Sequence, residues 1–152
     1  MSVAFRRESD DEHLEPKFEL PIPPGPNLVT ERGLALIVAR VEALQAQLAG
    51  LSDETEIKRV KRDLRYWGTR QATAQVMPPP EGAAVAFGST VRFSLNGKER
   101  TVTLVGDDEA DPAVGLLSFT APLSRALLGA EAGDELDFGG RDGAIDVLAV
   151  GA

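Results

Sequence analysis

The sequence predicts an α+β protein: an N-terminal antiparallel helical hairpin, or short coiled coil, followed by a small antiparallel β-sheet domain with one short helix. Three observations lead there. Two apolar runs repeat at alternating spacings of three and four, Leu34, Ile37, Val41, Leu44, Leu48, Leu51 and then Ile57, Val60, Leu64, Trp67, Gln71, Ala74. The Pro78-Pro79-Pro80 run stops the second of them. Beyond it, apolar and polar residues alternate on either side of Asn96-Gly97, the strand period flanking the residues of a type I′ turn.

Taken in chain order, residues 1–27 combine charge with the stretch Glu-Leu-Pro-Ile-Pro-Pro-Gly-Pro-Asn, which supports neither a helix nor an alternating strand. They read as a disordered or extended tail. Residues 28–77 read as the coiled-coil arm, with Thr30 placed to cap its first helix. Each helix of about twenty residues is roughly 30 Å long at 1.5 Å per residue. Each stripe is narrow and the joint between the helices is short, so folding back antiparallel buries both stripes. Residues 78–82 form a proline-rich linker, and 83–152 form the β domain.

In that domain Val91, Phe93 and Leu95 predict one strand and Thr101–Val105 its hairpin partner. Leu116–Phe119, Glu135–Phe138 and Ala144–Val150 predict three more, set apart by Gly and Asp turns. Pro122 opens a short helix through Leu128 that Gly129 closes.

Composition narrows the chemistry. The chain of 152 residues has no cysteine and one histidine, His13. Disulfides, thiolate nucleophiles, cysteine-ligated zinc and histidine triads are therefore excluded, and a metal would need carboxylate ligands. The N-terminus has no apolar signal segment and no run is long enough to span a membrane, so a cytoplasmic protein is expected. The net charge of -8 disfavours autonomous binding to duplex DNA. That charge is uneven: residues 30–77 hold eight Lys and Arg against six Asp and Glu, whereas 78–152 hold five against twelve. The arm and the β domain suit differently charged surfaces.

Four motifs stand in one order: Phe87-Gly88-Ser89-Thr90-Val91, Val105 to Asp111 (VGDDEAD), Pro122 to Gly129 (PLSRALLG) and Gly133-Asp134. With Thr30 to Gly33 (TERG) and Ala74 to Val76 (AQV) at the two ends of the arm, the chain resembles the Gre factors of bacterial transcription elongation over residues 28 to 150. The resemblance implies an FKBP-like C-terminal domain that docks on bacterial RNA polymerase near its secondary channel, with the arm inserted there. It carries docking roles to Ser118, Thr120 and Pro122. Many relatives have Asp or Asn where this chain has Thr120. It implies a protein that is not itself an enzyme and meets nucleic acid only within the elongation complex; a monomer is expected. Prolyl isomerase activity does not follow from an FKBP-like shape, because function resides in a site.

In cleaving members of the family the arm tip presents an Asp and a Glu three residues apart, which lend a magnesium ion to the polymerase. Asp53 and Glu56 keep that separation here, and Glu54 adds a third acid, so a shared magnesium at Asp53 and Glu56 is what the resemblance implies for a cleaving member. The tip departs from the pattern at Ser52 and Ile57, which replace Gly and Asn, and the closing aromatic is absent. Each helix is also shorter than in cleaving members by about ten residues, which withdraws the tip by ~15 Å. Read without the family, the three acids favour the N-terminus of a helix, with Ser52 and Thr55 as capping residues.

The expected function is that of the short-armed branch that includes the regulator of nucleoside diphosphate kinase. Such a protein occupies the secondary channel without efficient RNA cleavage and competes with longer-armed factors. The alternatives are a true cleavage-stimulating factor acting through Asp53 and Glu56, and a coiled-coil adaptor with no polymerase contact.

Overall fold

The structure, a computed structural model, describes residues 19–151. Residues 1–18 of the expected tail, His13 among them, lie outside the described residues. The chain forms two compact units, one of residues 19–25 and 37–72, the other of residues 26–36 and 73–151.

The first unit holds most of a helical hairpin, whose α1 spans Glu31–Ala49 and enters the unit at Ile37, and whose α2 spans Glu54–Thr73 and leaves it after Ala72. Along the expected seam Ile37, Leu44 and Val60 are buried, and Val41, Leu48, Ile57, Leu64 and Trp67 are half-buried. Arg40 of α1 lies over the Trp67 ring at 5.0 Å from its centroid, and Tyr66 meets Trp67 edge to face. The last turn of α1 tightens, since Gly50 N–H donates to Gln47 O and Leu51 N–H to Leu48 O.

The second stripe ends earlier than its spacing suggests. Gln71 is exposed and α2 stops at Thr73, which leaves Ala74 outside the helix. The reason is a competing ladder. Gln75 N–H donates to Asn27 O at 2.8 Å and Met77 N–H to Val29 O at 2.9 Å, so these donors go to a strand instead of a further helical turn. Two short strands result, β1 at Leu28–Val29 and β2 at Gln75–Val76, paired in parallel.

In the second unit five strands make a sheet in the order β5-β4-β3-β7-β6, where β3 is Thr90–Leu95, β4 Lys98–Val105, β5 Leu116–Ser118, β6 Glu135–Phe138 and β7 Arg141–Gly151. Pairing is antiparallel at β3–β4, β3–β7 and β6–β7. Only β5 joins its neighbour β4 in parallel, so the sheet is mixed at that edge. The β3–β4 turn has φ of 51° at Asn96 and 85° at Gly97, and two positive values in succession match the type I′ geometry expected from sequence.

One face of the sheet carries Val91, Phe93, Val102, Leu104, Ile145 and Val147, all buried. Against them pack Leu123 and Leu127 of the short helix α3, Pro122–Leu127. That alternation is why these segments are strands, since every second side chain leaves water.

Candidate functional site

Three groups of polar side chains stand apart from the core: a clasp at the base of α1, a hydroxyl cluster beside β5, and the acids of the arm tip.

The clasp centres on Glu109, a buried carboxylate. Thr30 donates its hydroxyl to Oε1 of Glu109 at 2.6 Å, and Arg32 donates Nη1 to Oε2 at 2.8 Å. Thr30 also caps α1, its Oγ1 accepting from Gly33 N–H at 2.9 Å. A side chain at position 33 would place its Cβ 2.9 Å from Glu109 Oε1, so Gly33 is what lets the carboxylate approach. Each residue of the TERG motif except Glu31 thus has a role at one acid. The contact spans 77 and 79 residues of chain, and sequence periodicity holds no trace of it.

Ser118 ends β5, Thr120 follows in the turn, and Pro122 takes the first position of α3. The Ser118 hydroxyl donates to Oδ1 of Asp107 at 2.5 Å, and Thr120 donates to the same oxygen at 3.1 Å. The two hydroxyl oxygens are 2.8 Å apart, and Thr120 N–H donates to Ser118 Oγ at 3.2 Å. Buried Ser124 donates to the Ser118 carbonyl at 2.6 Å, fixing the start of α3 beneath the cluster. The structure therefore brings Ser118 and Thr120 together around Asp107, with exposed Pro122 beside them. Their protons are spent on the carboxylate, and the cluster offers the acceptor oxygens of its hydroxyls. That surface suits a partner presenting N–H donors or cations. Asp107 and Glu109 both lie in the VGDDEAD motif, where local pattern assigns neither of them a role.

At the tip, Asp53 is the N-cap of α2, its Oδ2 accepting from Glu56 N–H at 3.4 Å. The expectation of Ser52 and Thr55 as capping residues is corrected, because the helix begins one residue after Asp53. Glu56 accepts from Arg59 at 2.8 and 3.2 Å, and Arg59 reaches on to Asp63 at 3.4 Å. Glu54 is exposed in the first turn. Among the described residues no group of three or more His, Cys, Asp or Glu could hold a metal ion. Asp53 is thus hydrogen-bonded to the backbone and Glu56 paired with a guanidinium.

Residues 80–151 match the family model described as transcription elongation factor, GreA/GreB, C-term. The transcription elongation factor GreA of Desulfovibrio desulfuricans is 42% identical over 77 residues, 48% of this chain and 48% of that protein. GreA of Helicobacter pylori is 45% identical over 67 residues, 41% of each chain. The chain thus spans about half the length, or less, of the curated relatives it matches. Among solved structures, the prokaryotic transcription elongation factor GreA/GreB from Nitrosomonas europaea is 26% identical, covering 85% of this chain and 100% of that one at a TM-score of 0.41. Among the described residues no helix is long and apolar enough to cross a membrane.

Proposed function

We propose that the chain is a GreA/GreB-type protein, as the match of its residues 80–151 supports, and that it regulates transcription elongation by binding RNA polymerase, occupying the secondary channel without efficient RNA cleavage. The observation that carries this reading is the state of the tip acids: Asp53 serves as a helix cap and Glu56 is paired with Arg59. A metal at another protein's active centre would have to displace these partners before either carboxylate served it as a ligand. The helices, of 19 and 20 residues, support the same reading, since the resemblance implies a tip withdrawn by ~15 Å relative to cleaving members. In this role the protein needs no catalytic residue of its own. The cluster of Ser118, Thr120 and Asp107 with Pro122 is the docking surface we assign, and the arm acts by filling space.

A second reading, a true cleavage-stimulating factor, draws on one observation: Asp53 and Glu56 share the first turn of α2. A transcript-cleavage assay on a stalled, backtracked elongation complex from the cognate polymerase separates the two, run with this protein alone and in competition with a longer-armed Gre factor. Blocking the longer factor while releasing no RNA is the expected result. RNA release that disappears on Asp53→Asn with Glu56→Gln would establish the second reading instead. Failure to compete, with no loss on Ser118→Ala and Thr120→Ala, would remove the polymerase as partner.

A further inference from the structure

Asparagine occurs twice in the chain, at positions 27 and 96, and the two are held in opposite ways. Asn27 is buried, its side-chain amide donates to Thr73 Oγ1 at 3.1 Å, and the bulk of Leu28 follows it. Asn96 is exposed at the tip of the β3–β4 hairpin, tied by its backbone N–H to Ala144 O at 2.8 Å. Gly97 comes next, with nothing within 4 Å of the place a Cβ would take. Asparagine is thermolabile because its carboxamide carbon is an electrophile on which the next residue's backbone nitrogen closes a five-membered ring, most readily when no side chain crowds that nitrogen. An exposed Asn-Gly pair meets that condition.

The closed turn withholds the geometry. With φ of 51° and 85° the turn is type I′, the mirror image of type I, so ψ at Asn96 stands at about +30°. There the Gly97 nitrogen and the Asn96 Cβ are anti about the Cα–C bond, and a ring containing both cannot close. Closure needs them nearly eclipsed, which the tip reaches only by opening the Leu95–Lys98 pair that ends both strands.

We propose that Asn96-Gly97 is a site of spontaneous amide-to-acid conversion held in check by the closed hairpin, so that the modification records opening of the β3–β4 tip. In the first step the Gly97 nitrogen bonds to Asn96 Cγ, the bond from Cγ to the side-chain nitrogen breaks, and ammonia leaves with the Gly97 proton. One water then adds across either ring C–N bond, its hydroxyl going to carbon and its other proton to nitrogen. Opening at Cγ leaves an ordinary aspartate; opening at the main-chain carbonyl leaves an isoaspartate, with the chain running through Cβ and Cγ. The two products part structurally. Asp-Gly favours the same turn as Asn-Gly, so the hairpin closes again with one more negative charge. Isoaspartate adds a carbon to the main chain where the turn has two central residues, so the Leu95–Lys98 register is not recovered. The tip lies at the end of β4 away from Val105 and its partner Ser118, and the proposal does not depend on the polymerase reading.

Trypsin, cutting after Arg92 and Lys98, isolates the site in the peptide of residues 93–98. In the full chain incubated in mildly alkaline buffer, that peptide should gain the mass of an amide-to-acid exchange at least about tenfold more slowly when folded than in denaturing guanidinium chloride. Leu95→Ala removes the side chain that packs the tip on the core, and should speed conversion of the folded chain several-fold. Asn96→Gln, whose ring is one atom larger, should leave the peptide unconverted, and Asn27 should stay intact in the folded chain. Equal rates in the folded and unfolded chain, or no conversion at Asn96 in denaturant, overturns the proposal. So does a Leu95→Ala chain that is folded by circular dichroism and converts no faster than the parent.

Discussion

A methyl group on Gly106 would lie 2.3 Å from the carbonyl oxygen of Leu28, closer than any packing allows. Gly106→Ala is therefore expected to force β1 away from the end of β4 and to cost about 1–3 kcal/mol, read as a lowered urea midpoint. Three residues on, Glu109→Ala strips both partners from its acid and is expected to cost about 1–3 kcal/mol. Glu109→Gln keeps an oxygen for Thr30 and should cost less, and combining Glu109→Ala with Arg32→Ala should show a non-additive loss, because the two share one ion pair. Thr30 was legible as a helix cap because capping is local. Its bond to Glu109 was not, since a contact between segments nearly eighty residues apart leaves no mark on either segment's pattern. The same holds for Ser118 and Thr120: sequence named them, but the carboxylate of Asp107 that orients them came only with the fold.

Among the elements, α2 carries two predictions. Asn caps helices as well as Asp does, so Asp53→Asn should leave thermal stability unchanged, whereas Asp53→Ala should lose about 0.5 kcal/mol, the low end expected of a long capping bond. A family of variants at this position thus separates helix capping from any role of the charge. The Glu19 carboxyl is held below its ordinary range, first by the hydrogen bond from Arg65 and then by the charges of Arg65 and Arg62. A depressed value means that the pairing of Glu19 with Arg65 is full above the ordinary carboxylate range and is lost only as the pH falls below it. The carboxyl carbon shift of Glu19 followed by NMR across an acid titration checks that order. Helices and hairpin were readable because their periods of 3.6 and 2 persist for many residues. The pair β1–β2 was not, because strands of two residues have no period, and their pairing is what ends α2 before Ala74. The parallel edge at β5 escaped notice for a related reason, since alternation reports which residues face the core and says nothing of a strand's direction.

For the molecule as a whole, charge is the property that sequence reported well. The β domain carries the surplus of acid, and the cluster of Ser118, Thr120 and Asp107 adds an acceptor surface to it. Docking through that surface should weaken as ionic strength rises, measurable as a fall in polymerase affinity with added salt. Because the tip acids are committed within α2, chelating divalent cations should leave the melting temperature of the free chain unchanged, whereas a resident ion would lower it on removal.

The pairing of Leu28 with Gln75 and Val29 with Val76 sets where the chain leaves the β domain and where it comes back, only a strand spacing of about 4.8 Å apart. Everything between is an excursion from a closed doorway. Its length is a free variable: seven residues added to each helix would preserve the seam and lengthen the hairpin by ~10 Å without disturbing the threshold. A change of reach needs no more than matched insertions or deletions at the far end.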